Sequence, residues 1–249
     1  MKIALAQIQP KGGDVDGNVA KHLGVIHLAV EEGADAIFFP ELSLSGYEPS
    51  LARALACELT DARLEVFQQF SNDHQLLIAI GLPLKSANEK PFISMLFFQP
   101  DQPRSSYTKQ FLHTDERPFF TAEIKPFVLN YHGVKIAPAI CYESLVNHHI
   151  EGAYERGGKL YVVSAAKSHQ NLIKAYAHYA ETAKDYNLPL LLCNSLGPCD
   201  NFYSNGQSAA WNRQGQLVAS LNEPHEGILL YDTQTEQGYT KYLGLTIVK

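Results

Sequence analysis

Cysteine is scarce in this 249-residue chain, and its four copies, Cys57, Cys141, Cys193 and Cys199, form no Cys-x-x-Cys pair. That spacing excludes a disulfide framework, gives no zinc or redox motif, and fits a reducing compartment. Long hydrophobic runs are missing as well: no apolar stretch reaches the length of a membrane span, and the opening Met1 to Pro10 reads as a short strand rather than a secretory h-region. The expectation is a soluble, cytoplasmic protein. An excess of basic charge is also lacking. Net charge is −6 and pI about 5.9, which leaves no electrostatic footprint for nucleic acid or an anionic membrane surface. Linkers, repeats and low-complexity tracts are absent, so residues 1–249 are expected to form one domain with its own core.

What is present is an alternation of strand and helix signals. Lys2 to Ile8 reads as a strand. Asn18 is the expected cap of a helix whose apolar stripe is Val19, Leu23, Ile26 and Val30, with Lys21, His22 and Glu31 off it, ending at Gly33. Ala36 to Phe39 is a short continuous apolar run, as in a strand buried on both faces. Thr60 or Asp61 caps a second helix, and Leu76 to Leu84, Phe92 to Phe98 and Ser105 to Lys109 follow as strands joined too tightly for parallel crossovers. A turn at His132-Gly133 leads into a strand over Val134 to Ile140. Beyond it come a helix of about three turns reaching Arg156, a strand over Leu160 to Ala165, a helix over Asn171 to Asn187, a strand over Leu188 to Cys193, and a hairpin-rich C-terminal edge. This interleaving predicts an α/β domain with helices packed outside sheet layers.

Three chemically capable residues stand where strands end: Glu41, Lys109 and Cys141. Strand ends gather side chains at one rim of a sheet. At a strand-to-helix corner a thiol is exposed among backbone N–H groups that lower its pKa and can bind an oxyanion. Taken singly, each has an ordinary structural explanation: a turn carboxylate, a solvated lysine, and a small core cysteine, which is the commoner role for a cysteine after a strand.

The segments around them carry a resemblance. Phe38-Phe-Pro-Glu41-Leu-Ser-Leu-Ser-Gly46-Tyr47, Tyr107-Thr-Lys109-Gln-Phe-Leu112 and Ala139-Ile-Cys141-Tyr-Glu143 resemble, in order and spacing, the signature segments of the nitrilase superfamily of carbon–nitrogen hydrolases. The resemblance extends over nearly the whole chain. It implies a four-layer α-β-β-α sandwich, commonly assembled as a homodimer or a higher even oligomer. It also implies a Glu-Lys-Cys triad at Glu41, Lys109 and Cys141, with a second glutamate matched by Glu116. The backbone N–H of Tyr142 would join Lys109 at the oxyanion. No cofactor or metal is implied.

The sequence departs from the pattern in places. Phe119 to Glu123 lacks the usual proline-glycine step, and Glu181 to Tyr186 only partly matches the stretch that precedes the late strand. Nitrile hydrolysers of the superfamily tend to carry tryptophan after the cysteine; Tyr142 stands there, which favours amides. Tyr47, Tyr142 and Glu143 are the expected substrate-binding residues, with Phe119 and Phe120 as further aromatic candidates. Arg117 and Lys167 could grip a substrate carboxylate, as in N-carbamoyl acid hydrolysis, although each also reads as a solvated charge. The partner expected is therefore a small amide. Other readings are a nitrilase, a Cys-His hydrolase using His148, His149, His169 or His178 with Asn194, a zinc hydrolase, and a silent interaction protein.

Overall fold

A computed structural model of the chain describes residues 1–244. Two sheets form its centre. The seven-stranded sheet runs, in spatial order, Gln237–Tyr242, Gly227–Asp232, Lys2–Gln7, Ala36–Phe38, Leu77–Leu84, Phe92–Phe98 and Ser105–Thr108. The six-stranded sheet runs Leu217–Ser220, Ala209–Trp211, Leu190–Asn194, Leu160–Ala165, Val134–Ile140 and Leu129–Tyr131. Each has a parallel centre of three strands and antiparallel flanks.

Alternation along each strand builds the layers. Ile3 and Leu5 point into a central core shared with Phe38, Ile136, Ile140 and Val162, whereas Ala4 and Ala6 face outward onto a second core with Val25, Ile26 and Phe67. On the other sheet Leu160 and Val162 face the centre, while Tyr161 and Val163 face Leu172 and Tyr179. Both faces of both sheets are thus covered, which explains the uninterrupted apolar runs. Helices Val15–Glu31 and Glu65–His74 cover one sheet, and Asn147–Glu155 and His169–Asp185 cover the other. The result is the four-layer α-β-β-α sandwich. Polar bonds also cross between sheets: the Ser164 hydroxyl donates to the Phe39 carbonyl at 2.7 Å, and Cys193 Sγ lies 3.1 Å from both the Ala6 and Phe38 carbonyls. No helix among the described residues is long and apolar enough to cross a membrane.

Several expectations are corrected. The first helix starts at Val15, and Asp14 caps it by accepting from Gly17 N–H at 3.1 Å. Asn18 is instead buried inside the helix, where it binds the backbone of Lys11 and the carbonyl of Leu44. His22, expected off the apolar stripe, is fully buried and stacks on Phe39 with ring centroids 4.2 Å apart. Burial pushes its imidazole down to about 4, so it is neutral; Nδ1 donates to the Asn18 carbonyl and Nε2 accepts from Ser43. The helix expected after Cys141 is two pieces, a 3₁₀ segment Cys141–Leu145 and an α-helix Asn147–Glu155, separated by extended Val146. Leu196–Cys199, Phe202–Asn205 and Gln237–Tyr242 are strands that the sequence reading did not resolve.

Candidate functional site

Glu41 follows the strand Ala36–Phe38 on a turn pressed against the neighbouring strand Leu77–Leu84. Phe39 N–H donates to the Ala79 carbonyl and Leu44 N–H to the Gly81 carbonyl, both at 2.9 Å. Position 81 has to be glycine for this contact: a Cβ there would lie 2.4 Å from the Pro40 carbonyl oxygen and 2.5 Å from Leu42 N. Leu42 completes the turn with a φ of 51°.

Lys109 leaves the edge strand Ser105–Thr108, its N–H bonded to the Ile93 carbonyl at 2.9 Å. Its side chain is fully buried and reaches two carboxylates, Glu41 Oε1 at 2.7 Å and Glu116 Oε1 at 2.6 Å. Glu116 is held in turn by the Tyr47 hydroxyl at 3.0 Å on Oε1 and by His113 N–H at 2.8 Å on Oε2. Burial pulls the Lys109 ammonium down, but Glu41 and Glu116 outweigh it and the net shift is upward. Burial raises the Glu41 carboxyl despite the opposing pull of Lys109. Glu41 Oε2 is buried and has no hydrogen-bond partner.

Cys141 begins the 3₁₀ segment with a φ of 50°, a left-handed conformation uncommon for a residue with a side chain. The turn lifts the thiol out of the core, where it is partly accessible and its Sγ lies 3.8 Å from the Ala166 carbonyl. The expectation of a lowered thiol pKa is not met. Burial, followed by the negative charge of Glu41, pushes it up to about 11, against Lys167 and Lys109, which pull it down. A resting thiol near a carboxylate, rather than a standing thiolate, is what this electrostatic balance gives.

The thiol, Tyr47, Glu116 and Tyr142 all line a cavity of 400 Å³, closed on other sides by Lys167 and Phe202. Tyr47 packs edge-on against Phe202 with centroids 5.5 Å apart. Phe202, on one of the unread strands, was invisible to motif reasoning.

Glu143, expected to touch substrate, does not line this cavity and is fully buried. Its Oε1 accepts from Ile140 N–H at 2.6 Å and the Tyr107 hydroxyl at 2.6 Å, and its Oε2 accepts from Gln110 N–H at 2.7 Å. Burial pushes its carboxyl up to about 7 against the Tyr107, Ile140 and Gln110 donors, which hold it down. Behind it, His149 Nε2 contacts the Tyr107 hydroxyl at 2.8 Å and Nδ1 the Tyr161 hydroxyl at 2.7 Å. With that imidazole pushed down to about 4 by burial, the neutral ring passes one hydrogen bond along the chain Tyr161, His149, Tyr107, Glu143. Phe120 is core, while Phe119 and Arg117 are exposed and lie outside the cavity lining. Lys167, which could grip a substrate carboxylate or be a solvated charge, is 3% exposed and lines the cavity.

Among the described residues no histidine hydrogen-bonds to Cys141 Sγ. His148 is exposed near Glu151, His149 is engaged with tyrosines, and Asn194 binds the Lys167 backbone rather than an imidazole. Nor do three or more His, Cys, Asp or Glu side chains converge as a metal-holding group among those residues.

Comparison with known proteins places this geometry in context. The family model described as carbon-nitrogen hydrolase matches residues 2–240. A glutamine-dependent NAD(+) synthetase from Thermotoga maritima is 23% identical over 247 residues, which are 95% of this chain and 42% of that protein. The chain therefore spans less than half the length of that curated relative. Among solved structures, the NitN amidase of Nesterenkonia sp. AN1 superposes with a TM-score of 0.85 at 24% identity, covering 93% of this chain and 92% of that one. A glutamate-to-glutamine variant of the same amidase, bearing the Michael adduct of acrylamide at its active-site cysteine, superposes at a TM-score of 0.86 and 23% identity, covering 95% and 94%.

Proposed function

Because this chain belongs to the carbon–nitrogen hydrolase family, we propose that it hydrolyses a small linear amide through a thioester on Cys141, with Glu41, Lys109 and Glu116 as the assisting charged groups. The observation that carries this reading is the Lys109 ammonium bonded to both Glu41 and Glu116, with Glu116 lining the cavity that holds Cys141 and the charge of Glu41 acting on the Cys141 thiol.

The steps follow from the charges. Glu41 Oε2, in a carboxyl raised by burial, takes the thiol proton as Sγ bonds to the amide carbon. The carbonyl π electrons move to oxygen, and Lys109 with the Tyr142 backbone N–H holds the resulting oxyanion. Removing one such donor typically costs about 3 to 4 kcal/mol of transition-state stabilisation. As the carbon–nitrogen bond breaks, Glu41 gives its proton to the nitrogen and ammonia departs. Water then loses a proton to Glu41 and attacks the thioester, and the proton returns to sulfur as the carboxylic acid leaves. Glu116, held by Tyr47 and His113, fixes the direction of the Lys109 ammonium. Tyr47 and Tyr142 serve as walls for the acyl group.

The acrylamide adduct on the cysteine of the Nesterenkonia protein supports a small amide as the type of molecule this cavity admits. Ammonia release from primary amides, N-carbamoyl acids and nitriles, with mass spectrometry of the quenched acyl-enzyme, tests the reading. Amide turnover with an acyl mass on Cys141 is expected, and faster nitrile turnover would overturn it. The free cysteines fit a cytoplasmic setting. The proposed assembly is a homodimer or higher even oligomer, and a monomer by light scattering at micromolar concentration would contradict that part.

A further inference from the structure

Two buried hydroxyls tie the cysteine corner to the outer helix layer. Ser144 lies three residues after Cys141, and its Oγ donates to the Cys141 carbonyl at 2.5 Å. The same oxygen stands 2.6 Å from the hydroxyl of Tyr179, which belongs to the helix His169–Asp185. A serine hydroxyl carries one proton. With that proton on the Cys141 carbonyl, the second contact has to be donated by Tyr179. The bonds therefore run one way, from Tyr179 O–H to Ser144 Oγ and from Ser144 O–H to the Cys141 carbonyl. Burial raises the Tyr179 phenol against the opposing pull of Lys167 and Ser144, so its donor proton is retained at neutral pH. The ring is fully buried and packs edge-on against Trp211 with centroids 5.6 Å apart, which sets where the hydroxyl points.

The peptide at the end of this chain joins Cys141 to Tyr142. A peptide unit is planar and trans, so its carbonyl and its N–H point in opposite directions. Drawing the Cys141 carbonyl onto Ser144 turns the Tyr142 N–H away from that buried hydroxyl. Cys141 and Tyr142 both line the cavity, and among the described residues the Tyr142 N–H donates to no other protein group. The corner also needs holding, because Cys141 has a φ of 50°, a region that persists only where surrounding contacts impose it. Each bond in such a chain polarises the next, so a pull on the carbonyl oxygen leaves the N–H of the same unit a better donor.

We infer that Ser144 and Tyr179 are positioning residues for the oxyanion: together they fix the Cys141–Tyr142 peptide so that its N–H is aimed at the developing charge before substrate arrives. This rests on the amide-hydrolase reading above.

The test removes the hydroxyls one at a time. Tyr179→Phe keeps the ring and its packing, and Ser144→Ala removes the link to the carbonyl. Loss of a whole oxyanion donor costs about 10²- to 10³-fold in kcat, so a misaimed one should cost about tenfold to a hundredfold, with KM for butyramide little changed. The double variant should match Ser144→Ala within about threefold, because the two groups act in series. Iodoacetamide alkylation of Cys141 should stay within about twofold in both single variants, since that displacement builds no oxyanion. Alkylation that falls in step with kcat would overturn the inference, because the hydroxyls would then only be supporting the corner. Losses that multiply in the double variant, or an effect on KM alone, would overturn it too. A measurement without turnover separates this inference from the hydrolase reading. Butyraldehyde adds the Cys141 sulfur to its carbonyl carbon; the π electrons move to oxygen, which takes up the thiol proton, and the adduct protects the cysteine from iodoacetamide. Tyr179→Phe should weaken that protection by about tenfold, whether or not the wild type hydrolyses any amide. Equal protection of the two proteins, or none in the wild type, overturns the positioning role.

Discussion

Glu143 Oε2 accepts the backbone N–H of Gln110 at 2.7 Å, so the carboxylate two residues beyond the nucleophile grips the residue next to Lys109. Its other oxygen holds Ile140 N–H, the residue just before the nucleophile. One buried side chain thus fixes the spacing between the cysteine corner of one sheet and the lysine strand of the other. Glu143→Gln places an amide NH₂ where two backbone donors already point, leaving at least one donor unpaired, at a cost of about 1–3 kcal/mol. Activity should fall through kcat with KM little changed, because the carboxylate meets no substrate. The folded-state pKa is raised to about 7 from 4.5, so its contribution to stability is full below 4.5 and is lost as pH rises through 7. The stability difference between wild type and Glu143→Gln, measured by urea unfolding, should therefore shrink from pH 4.5 to pH 7.5.

Replacing Lys109 by Met leaves Glu41 and Glu116 buried without their shared cation. Breaking a buried ion pair from one side costs about 3–5 kcal/mol. Unfolding free energies from urea titration should show that loss at pH 8 and a smaller one as the pH is lowered, because burial favours the protonated form of Glu41.

Alkylation by iodoacetamide should mark Cys141 ahead of Cys57, Cys193 and Cys199, since it alone among the four is not buried. The rate should keep rising with pH beyond 9, reflecting a thiol pushed up to about 11. Glu41→Gln removes one of the charges responsible, so the alkylation profile should move to lower pH even as amide turnover falls by about 10²- to 10⁴-fold. Turnover that survives Glu41→Gln would reject Glu41 as the base.

Gly81→Ala introduces a methyl group into the contact between the strand Leu77–Leu84 and the turn bearing Glu41. Overpacking of this kind costs about 1–3 kcal/mol. The thermal midpoint should drop, and turnover should drop further than for a remote variant of equal stability, because the turn that shifts carries Glu41, the proposed base.

Much of the sandwich was legible in the sequence because strands covered on both faces leave unbroken apolar runs, as in Phe92–Phe98 and Leu160–Ala165. Leu196–Cys199 was not, since it holds a glycine and a proline, and Gln237–Tyr242 was not, since its residues alternate between exposed and half-buried. Polar residues caused the larger errors. Asn18 and His22 are buried because the backbone of Lys11 and Leu44 and the hydroxyl of Ser43 satisfy them, and hydropathy carries no information about such partners. The strand-exit pattern singled out Glu41, Lys109 and Cys141; the structure brings Glu41 and Lys109 into direct contact and sets Cys141 in a cavity lined by Glu116, which binds the same ammonium. Glu143 was misjudged, and Lys167 left between two readings, for one reason: whether a charged side chain faces solvent, substrate or backbone depends on the opposite sheet, and nothing local in the sequence encodes that.

The seven-stranded sheet supplies Glu41 and Lys109, and the six-stranded one supplies Cys141 and Lys167. The distance between the proposed base and nucleophile is therefore a property of how the two slabs are stacked, with the Cys193 thiol and the Ser164 hydroxyl among the few polar rivets between them. A volume change deep in the sandwich, far from any reacting atom, would shear one half of the machinery against the other, so turnover serves as a gauge of interior alignment.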